Sequence, residues 1–297
     1  MRFELLQPRE LPEALEMKKN YKEKAKVLAG GTDLLVLLKD QKLKAEAVMS
    51  LHGIHEMNFI RPEEGRGVTL GALATHGAVA GSPIIQEKFP DLAEACSQVG
   101  AVQIQNLGTV GGNLCNASPA ADSAPPLLLL DAILTLASTR GERSISIHDF
   151  FLGPGQTVLQ ADEILKEIFL PQTPGRRGAT YLKLGKRKAM EIAIVGIGVA
   201  IHLNGSEREV SDCRIAMSSV APIPLRARKG EETLKRKEIS EKLIEEAAEV
   251  AAEEARPISD IRGSRQYRLD MIRVLCRRAT RAALARARSI NKAEGLS

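Results

Sequence analysis

The stretch Gly108-Thr109-Val110-Gly111-Gly112-Asn113-Leu114-Cys115-Asn116-Ala117-Ser118-Pro119-Ala120-Ala121-Asp122-Ser123-Ala124-Pro125-Pro126 is the densest run of small residues in the chain, and four leucines follow it. Three glycines around a threonine, then two asparagines, give a length of main chain that offers backbone donors and amides to a ligand. Asp122 precedes the proline-marked start of a helix. There it is either an N-terminal cap or an acceptor for a ribose hydroxyl, and the local sequence leaves both open. Residues 90–99, which open on proline and aspartate, read as a helix before this stretch, and residues 133–137 as a strand after it.

A second glycine cluster lies far upstream. Val27-Leu28-Ala29 is a short apolar run broken by Gly30-Gly31, after which Thr32 and Asp33 precede Leu34-Leu35-Val36-Leu37-Leu38, a capped helix ending near Lys39. Residues 47–51 read as a strand, closing a β-loop-α-β unit. A Gly-Gly pair between strand and helix is either a tight turn or a place where backbone N–H groups converge on an anion such as a pyrophosphate. It is neither of the common nucleotide fingerprints: no G-x-G-x-x-G follows this strand, and no G-x-x-x-x-G-K-[ST] occurs in the chain.

Elsewhere, residues 10–20 carry Leu11, Ala14 and Leu15 at helical spacing, and residues 68–70 read as a strand. Residues 171–178, with two prolines, two glycines and two arginines, read as a linker. Beyond them, residues 181–184, 192–203 and 213–220 suggest three strands, followed by helices over 240–255 and 267–287. Strands first and helices afterwards indicate an α+β unit.

The 297 residues, 44% of them hydrophobic, suffice for about two domains with buried cores. The N-terminus has no apolar signal region and no run approaches the length of a membrane span, so a cytoplasmic location is expected. Nine arginines stand between Arg262 and Arg288 against one acid, Asp270, but six glutamates occupy 241–254 just before them. Oppositely charged helices facing each other or a partner are the favoured reading, over nucleic-acid binding; with aromatics at 3% and no tryptophan, base-stacking surfaces are scarce. Cys96, Cys115, Cys213 and Cys276 are too dispersed for a metal-ligand spacing, so four reduced thiols and no iron–sulfur cluster are expected. His52, His55, His76, His148 and His202 form no ligand spacing, and ordinary roles are expected of them.

Together, Ala29-Gly30-Gly31-Thr32-Asp33-Leu34-Leu35 and the stretch from Thr109 to Asp122 resemble the two FAD-binding motifs of the flavin subunits of the xanthine dehydrogenase and carbon monoxide dehydrogenase family. The resemblance runs on through Tyr181-Leu182-Lys183-Leu184-Gly185-Lys186-Arg187, Ala221-Pro222-Ile223-Pro224-Leu225-Arg226 and the segment from Ser259 to Arg268, covering nearly the whole chain. It implies an α+β protein: a two-lobed PCMH-type (vanillyl-alcohol-oxidase-like) FAD-binding domain over 1–175, with lobes of about 1–56 and 57–175. A C-terminal domain over 176–290 with a three-stranded antiparallel sheet and helices would follow. The resemblance assigns the FAD diphosphate to Lys26, Val27, Leu28, Ala29, Gly30, Gly31, Thr32, Asp33 and Leu34. Gly108, Thr109, Gly111, Gly112, Asn113, Cys115, Asn116 and Asp122 would contact diphosphate, ribose and the flavin side, Val99, Gly100 and Ile104 would line the cofactor, and Lys183, Ile192 and Ala193 would lie near the isoalloxazine.

The same resemblance implies a non-covalent FAD in an electron-transfer subunit with no catalytic side chain and no metal of its own. The implied partners are a large molybdenum-cofactor subunit and a small [2Fe-2S] subunit, with NAD or another carrier as final acceptor. Carbon monoxide dehydrogenases of the family tend to carry tyrosine where this chain has Ile192, which disfavours carbon monoxide as the complex's substrate. The extra cysteine-bearing insertion of the 4-hydroxybenzoyl-CoA reductase flavin subunit is missing as well. Lys183 and Arg187 are either surface charges or groups that stabilise reduced flavin. Two other classes compete with this reading: a free-standing FAD-dependent oxidoreductase on a related domain, such as UDP-N-acetylenolpyruvoylglucosamine reductase, and a flavin-free binding module.

Overall fold

The structure, a computed structural model, describes residues 2–173, 175–204 and 208–294. Near the N-terminus, strands Ala25–Leu28 and Ala47–Ser50 pair in parallel, joined through helix Leu34–Lys39, and Glu4–Leu6 pairs with the other side of Ala47–Ser50. This is the expected β-loop-α-β unit with one short strand added. Helix Leu11–Tyr21 buries Leu11, Ala14 and Leu15, the residues its spacing marked.

The next segment builds a five-stranded antiparallel sheet in the order Ile60–Glu63, Gly67–Gly71, Ile164–Pro171, Ile133–Ser138, Gly141–Ser146. Between Gly71 and Ile133 the chain runs through short helices, among them Pro90–Ser97, Val102–Leu107, Val110–Asn116 and Ala124–Leu129. The linker expected over 171–178 shrinks: Pro171 still pairs with Gly67, and strand Arg176–Leu184 begins five residues later. Proline is tolerated there because it closes its strand. Pro174 lies outside the described residues.

The C-terminal sheet has three long antiparallel strands, Arg176–Leu184, Val195–Leu203 and Val210–Ser218, plus the two-residue strand Leu225–Arg226. Its middle strand starts at Val195 rather than at Ile192. Side chains alternate along it. Val195, Ile197, Val199 and Ile201 join the core formed with helices Glu241–Glu254 and Arg265–Glu294. Gly198 and Ala200 turn the other way; a Cβ on Gly198 would stand 3.0 Å from Leu129 Cδ1, and Ala200 packs into the core of the first 170 residues. The small residues on that face let the sheet lie flat against helix Ala124–Leu129.

The acidic and basic helices face each other as their charges suggest, through Arg273–Glu249 at 2.5 Å and Arg281–Glu241 at 2.6 Å. Pairs this exposed contribute at most about 1 kcal/mol each. A different kind of contact ties the C-terminal sheet to helix Pro90–Ser97: Arg177 makes two hydrogen bonds, 3.1 and 2.8 Å, to the fully buried Asp91 carboxylate. Among the described residues no helix is long and apolar enough to cross a membrane.

Candidate cofactor site

Strand Ala25–Leu28 delivers the chain into the first glycine cluster. Gly31 has φ +75°, a left-handed backbone that glycine adopts without penalty. Leu35 N–H returns to Gly31 O at 3.2 Å, so the turn leads into the helix, but no described residue accepts from the N–H groups of Gly30, Gly31, Thr32 or Asp33. Four successive free donors on one turn form a concavity suited to an anion. Asp33 makes no side-chain cap of the helix, contrary to the capped start expected. Lys26 Nζ lies 3.7 Å from the exposed Glu23 carboxylate, a weak pair, and the His52 ring contacts Ala29 O at 2.5 Å, just before the turn.

The second cluster corrects the sequence reading. It is not an open loop but helix Val110–Asn116, with Thr109 as its cap; the Thr109 hydroxyl accepts from Gly112 N–H at 3.0 Å. Val110 N–H goes to Ala74 O and Gly111 N–H to Ala72 O, both at 3.0 Å, and Asn113 N–H goes to Thr109 O at 2.9 Å. Gly111 and Gly112 therefore do not offer their donors to a ligand. They are small so that the helix can press against residue 72, where a Cβ on Gly111 would stand 2.5 Å from Ala72 O, and against the first cluster.

That second contact matters most. A Cβ on Gly30 would overlap the Leu107 carbonyl oxygen, a Cβ on Gly108 would stand 3.5 Å from Thr32 Oγ1, and one on Gly112 would stand 3.4 Å from Ala29 Cβ. Two stretches nearly eighty residues apart thus lie backbone to backbone. Beside them Gly100 has φ +52° with Ile104 packed on it, and Val99 and Ile104 are half-buried. Asn113 Oδ1 accepts from Ser123 Oγ at 2.8 Å. Cys115 and Asn116 are half-buried, and desolvation pushes the Cys115 thiol up to about 12.

Asp122 does not cap helix Ala124–Leu129. Its buried carboxylate accepts from Tyr181 Oη and from Lys183 Nζ, both at 2.7 Å, and Lys183 Nζ also donates to Gln98 O at 2.9 Å. Burial pushes the Asp122 pKa up, while the Lys183 charge and the two hydrogen bonds pull it back. Lys183 is therefore neither a surface charge nor a free cation. Arg187 is the exposed one, and it pairs with Glu191 at 3.1 Å. Its loop is fastened to the site by Met190 N–H donating to Gly100 O at 2.7 Å, with Ile192 exposed and Ala193 buried.

Sequence reasoning missed Tyr181, Gln98 and His76. His76 N–H donates to Gly108 O at 2.9 Å, and its ring lies under that glycine, almost wholly buried with Nδ1 unpartnered in the protein. Burial lowers its pKa to about 4. Because that folded value lies below the unfolded value near 6.5, the unfolded chain binds the extra proton first, so stability is full above pH 6.5 and drains away as pH falls toward 4. The whole loss is about 3 kcal/mol. Urea unfolding at pH 7.5 and pH 4.5 is expected to show a drop in the native protein that exceeds the drop in His76→Gln by most of that amount; equal drops would refute it.

Residues 1–173 match the family described as the FAD binding domain in molybdopterin dehydrogenase, and residues 180–283 the CO dehydrogenase flavoprotein C-terminal domain. The chain belongs to this family of FAD-binding medium subunits of molybdenum hydroxylases. Among its relatives, the carbon monoxide dehydrogenase medium chain of Hydrogenophaga pseudoflava is 34% identical over 285 residues, 96% of this chain and 98% of that one. The xanthine dehydrogenase FAD-binding subunit of Escherichia coli O157:H7 is 33% identical over 264 residues, 89% and 90% of the two chains. The solved carbon monoxide dehydrogenase from Hydrogenophaga pseudoflava, a form lacking the Mo-pyranopterin moiety, superposes with TM-score 0.92 at 32% identity, over 96% of this chain and 98% of that one. Quinoline 2-oxidoreductase from Pseudomonas putida 86 superposes with TM-score 0.90 at 28% identity, over 97% and 98%. The medium subunit is thus an oxidoreductase subunit with an FAD-binding domain, and its two glycine clusters fall inside that domain.

Proposed function

We propose that the FAD diphosphate is held by the free N–H groups of Gly30 to Asp33, beside the Gly108–Thr109 turn, and that this chain relays electrons within a three-subunit molybdenum hydroxylase. The observation that carries this reading is the backbone contact of Gly30 with Leu107, which brings the donor turn against the segment leading into the second motif. The main chain of the donor turn fits a diphosphate because its four N–H groups are free to donate, and burial, which raises the Asp33 pKa, favours the uncharged form of the one carboxyl on the turn. The FAD-binding unit spans about 1–175 and the C-terminal unit about 176–290. Val99, Gly100, Ile104, Ile192 and Ala193 line the flavin side, and Lys183 acts through Asp122 by holding the Gln98 segment and the end of the second motif together.

When bound, the flavin can take up electrons singly and release them in pairs. Electrons would arrive from a small [2Fe-2S] subunit, supplied by a large molybdenum-cofactor subunit, and leave to NAD or a similar carrier. Ile192 leaves carbon monoxide the disfavoured substrate for that complex. Purified chain is expected to carry about one releasable FAD per polypeptide, measured by absorbance after acid precipitation, and the natively isolated complex should contain molybdenum and iron. Colourless protein that takes up no added FAD defeats the cofactor assignment. An active, metal-free monomer would favour the free-standing enzyme instead.

A further inference from the structure

A helix ordinarily ends with its last carbonyls unpartnered, yet every main-chain carbonyl from Glu94, in the last turn of helix Pro90–Ser97, to Ala101 has a donor. The Ser97 hydroxyl and the Gln98 side-chain amide donate to Glu94 O at 2.7 and 3.2 Å. Gln98 N–H goes to Ala95 O and Val99 N–H to Cys96 O, at 3.1 and 3.3 Å. Past the helix the donors come from other elements. Lys183 Nζ donates to Gln98 O and Met190 N–H to Gly100 O. Gln105 Nε2 donates to two of the carbonyls, Ser97 O at 2.8 Å and Val99 O at 3.1 Å.

Both partners of the Gln105 side chain are carbonyl oxygens, which can only accept, so the atom that faces them is the amide nitrogen. The half-buried Gln105 lies on helix Val102–Leu107, and its own N–H closes on Ala101 O at 2.9 Å. Its neighbour Ile104 packs on Gly100, whose φ is +52°. The helix after this turn therefore reaches back over it through side chain and main chain alike. A glycine turn is the segment most able to wander, because glycine has the widest choice of backbone conformations. Any wandering has to be frozen out when a ligand binds against the turn, and a clamp made in advance removes that cost. Lys183 and Met190 hold the turn from the C-terminal sheet and its loop, and Gln105 holds it from the first domain.

We infer that Gln105 is a positioning residue for the flavin ring: by fixing the carbonyls of Ser97 and Val99 it presets the backbone of Val99 and Gly100 on the isoalloxazine side. The inference rests on the FAD assignment proposed above, in which Val99 and Gly100 line the flavin. Gln105 acts through them. Its role depends on a donated hydrogen, so a side chain of the same size that cannot donate should fail in the same way as an apolar one.

The test uses the full chain, stripped of flavin and titrated separately with FAD and with ADP, which carries the diphosphate and adenosine but no isoalloxazine. Gln105→Leu removes the donor. Gln105→Glu keeps the size and polarity but turns acceptors toward Ser97 O and Val99 O. Both variants are expected to bind FAD at least 10-fold more weakly, equivalent to about 1.4 kcal/mol, the size of one or two neutral hydrogen bonds. Both should bind ADP as the wild type does, which shows that the fold and the diphosphate cradle are intact. At saturating FAD, their visible absorption band should lie closer to that of free FAD than the wild-type band does. Wild-type FAD affinity and spectrum in Gln105→Glu overturn the role of Gln105 and leave the cofactor assignment standing. Equal losses of FAD and ADP overturn it as well, since the effect would then not be confined to the flavin side. A wild-type chain that binds neither FAD nor ADP overturns the FAD assignment itself.

Discussion

Gly30→Val is expected to leave a folded chain that cannot retain FAD. A Cβ at residue 30 overlaps the Leu107 carbonyl oxygen and also meets the Gly108 Cα at 2.8 Å. Those are backbone atoms, and no rotamer change moves them aside. The two motifs have to separate, which draws the Gly30 to Asp33 donors away from the Gly108 turn. Overpacking of this kind costs about 1–3 kcal/mol in the protein itself. The diphosphate would lose several aligned hydrogen bonds at once, and a weakening of affinity by about 100-fold or more corresponds to roughly 3 kcal/mol. Gly31 ranks lower: its positive φ penalises any side chain, but its Cβ would meet only the flexible tips of Leu35 and Leu28. Gly81→Ala, at a helical glycine with nothing nearby, is the control and should bind FAD normally. The ratio of flavin to protein absorbance after gel filtration reads the outcome, and stoichiometric FAD in Gly30→Val would falsify the cradle.

The parts of this site that can be read from sequence are those whose signals are local. The apolar run, the Gly-Gly pair and the leucine helix after it sit within a few residues of one another, and the observed strand and helix match them closely. Strand alternation exposes the C-terminal sheet for the same reason. The second cluster misleads because glycine costs up to about 1 kcal/mol in a helix, so Val110-Gly111-Gly112 reads as loop. The helix forms anyway, since Thr109 caps it and Ala72 and Ala74 take its first donors, contacts that only the folded chain makes. The linker over 171–178 misleads in the same way: Pro171 and Arg176 look irregular in sequence but are absorbed by strands of two different sheets. Asp122 reads as a ligand or a cap because its true partners, Tyr181 and Lys183, lie about sixty residues downstream. Its chemistry is set by burial and pairing, neither of which spacing reveals.

That pair carries the other large effect. Lys183→Met is expected to destabilise the chain by about 3–5 kcal/mol, because it leaves a buried carboxylate without its counter-charge. Both side chains are 8% exposed, so solvent offers little screening. Gln98 O also loses its donor, freeing the segment that leads to Gly100. Asp122→Asn combined with Lys183→Met removes both charges and keeps an acceptor for Tyr181, and should recover a substantial part of the loss; the difference between double and single variants measures the coupling. The pH dependence has a definite sign. Burial raises the Asp122 pKa and the Lys183 charge is the largest influence holding it down, so without that charge the folded pKa rises further above the unfolded value of 3.8. A raised folded pKa means stability that is present below the unfolded pKa and lost as pH climbs through the folded one. Lys183→Met should therefore be closer to wild type at pH 5 than at pH 7.5 in chemical denaturation, whereas the double variant should lack this pH-dependent loss. If Lys183→Met unfolds at the wild-type midpoint at both pH values, Lys183 is not the partner that lets Asp122 remain charged inside the protein.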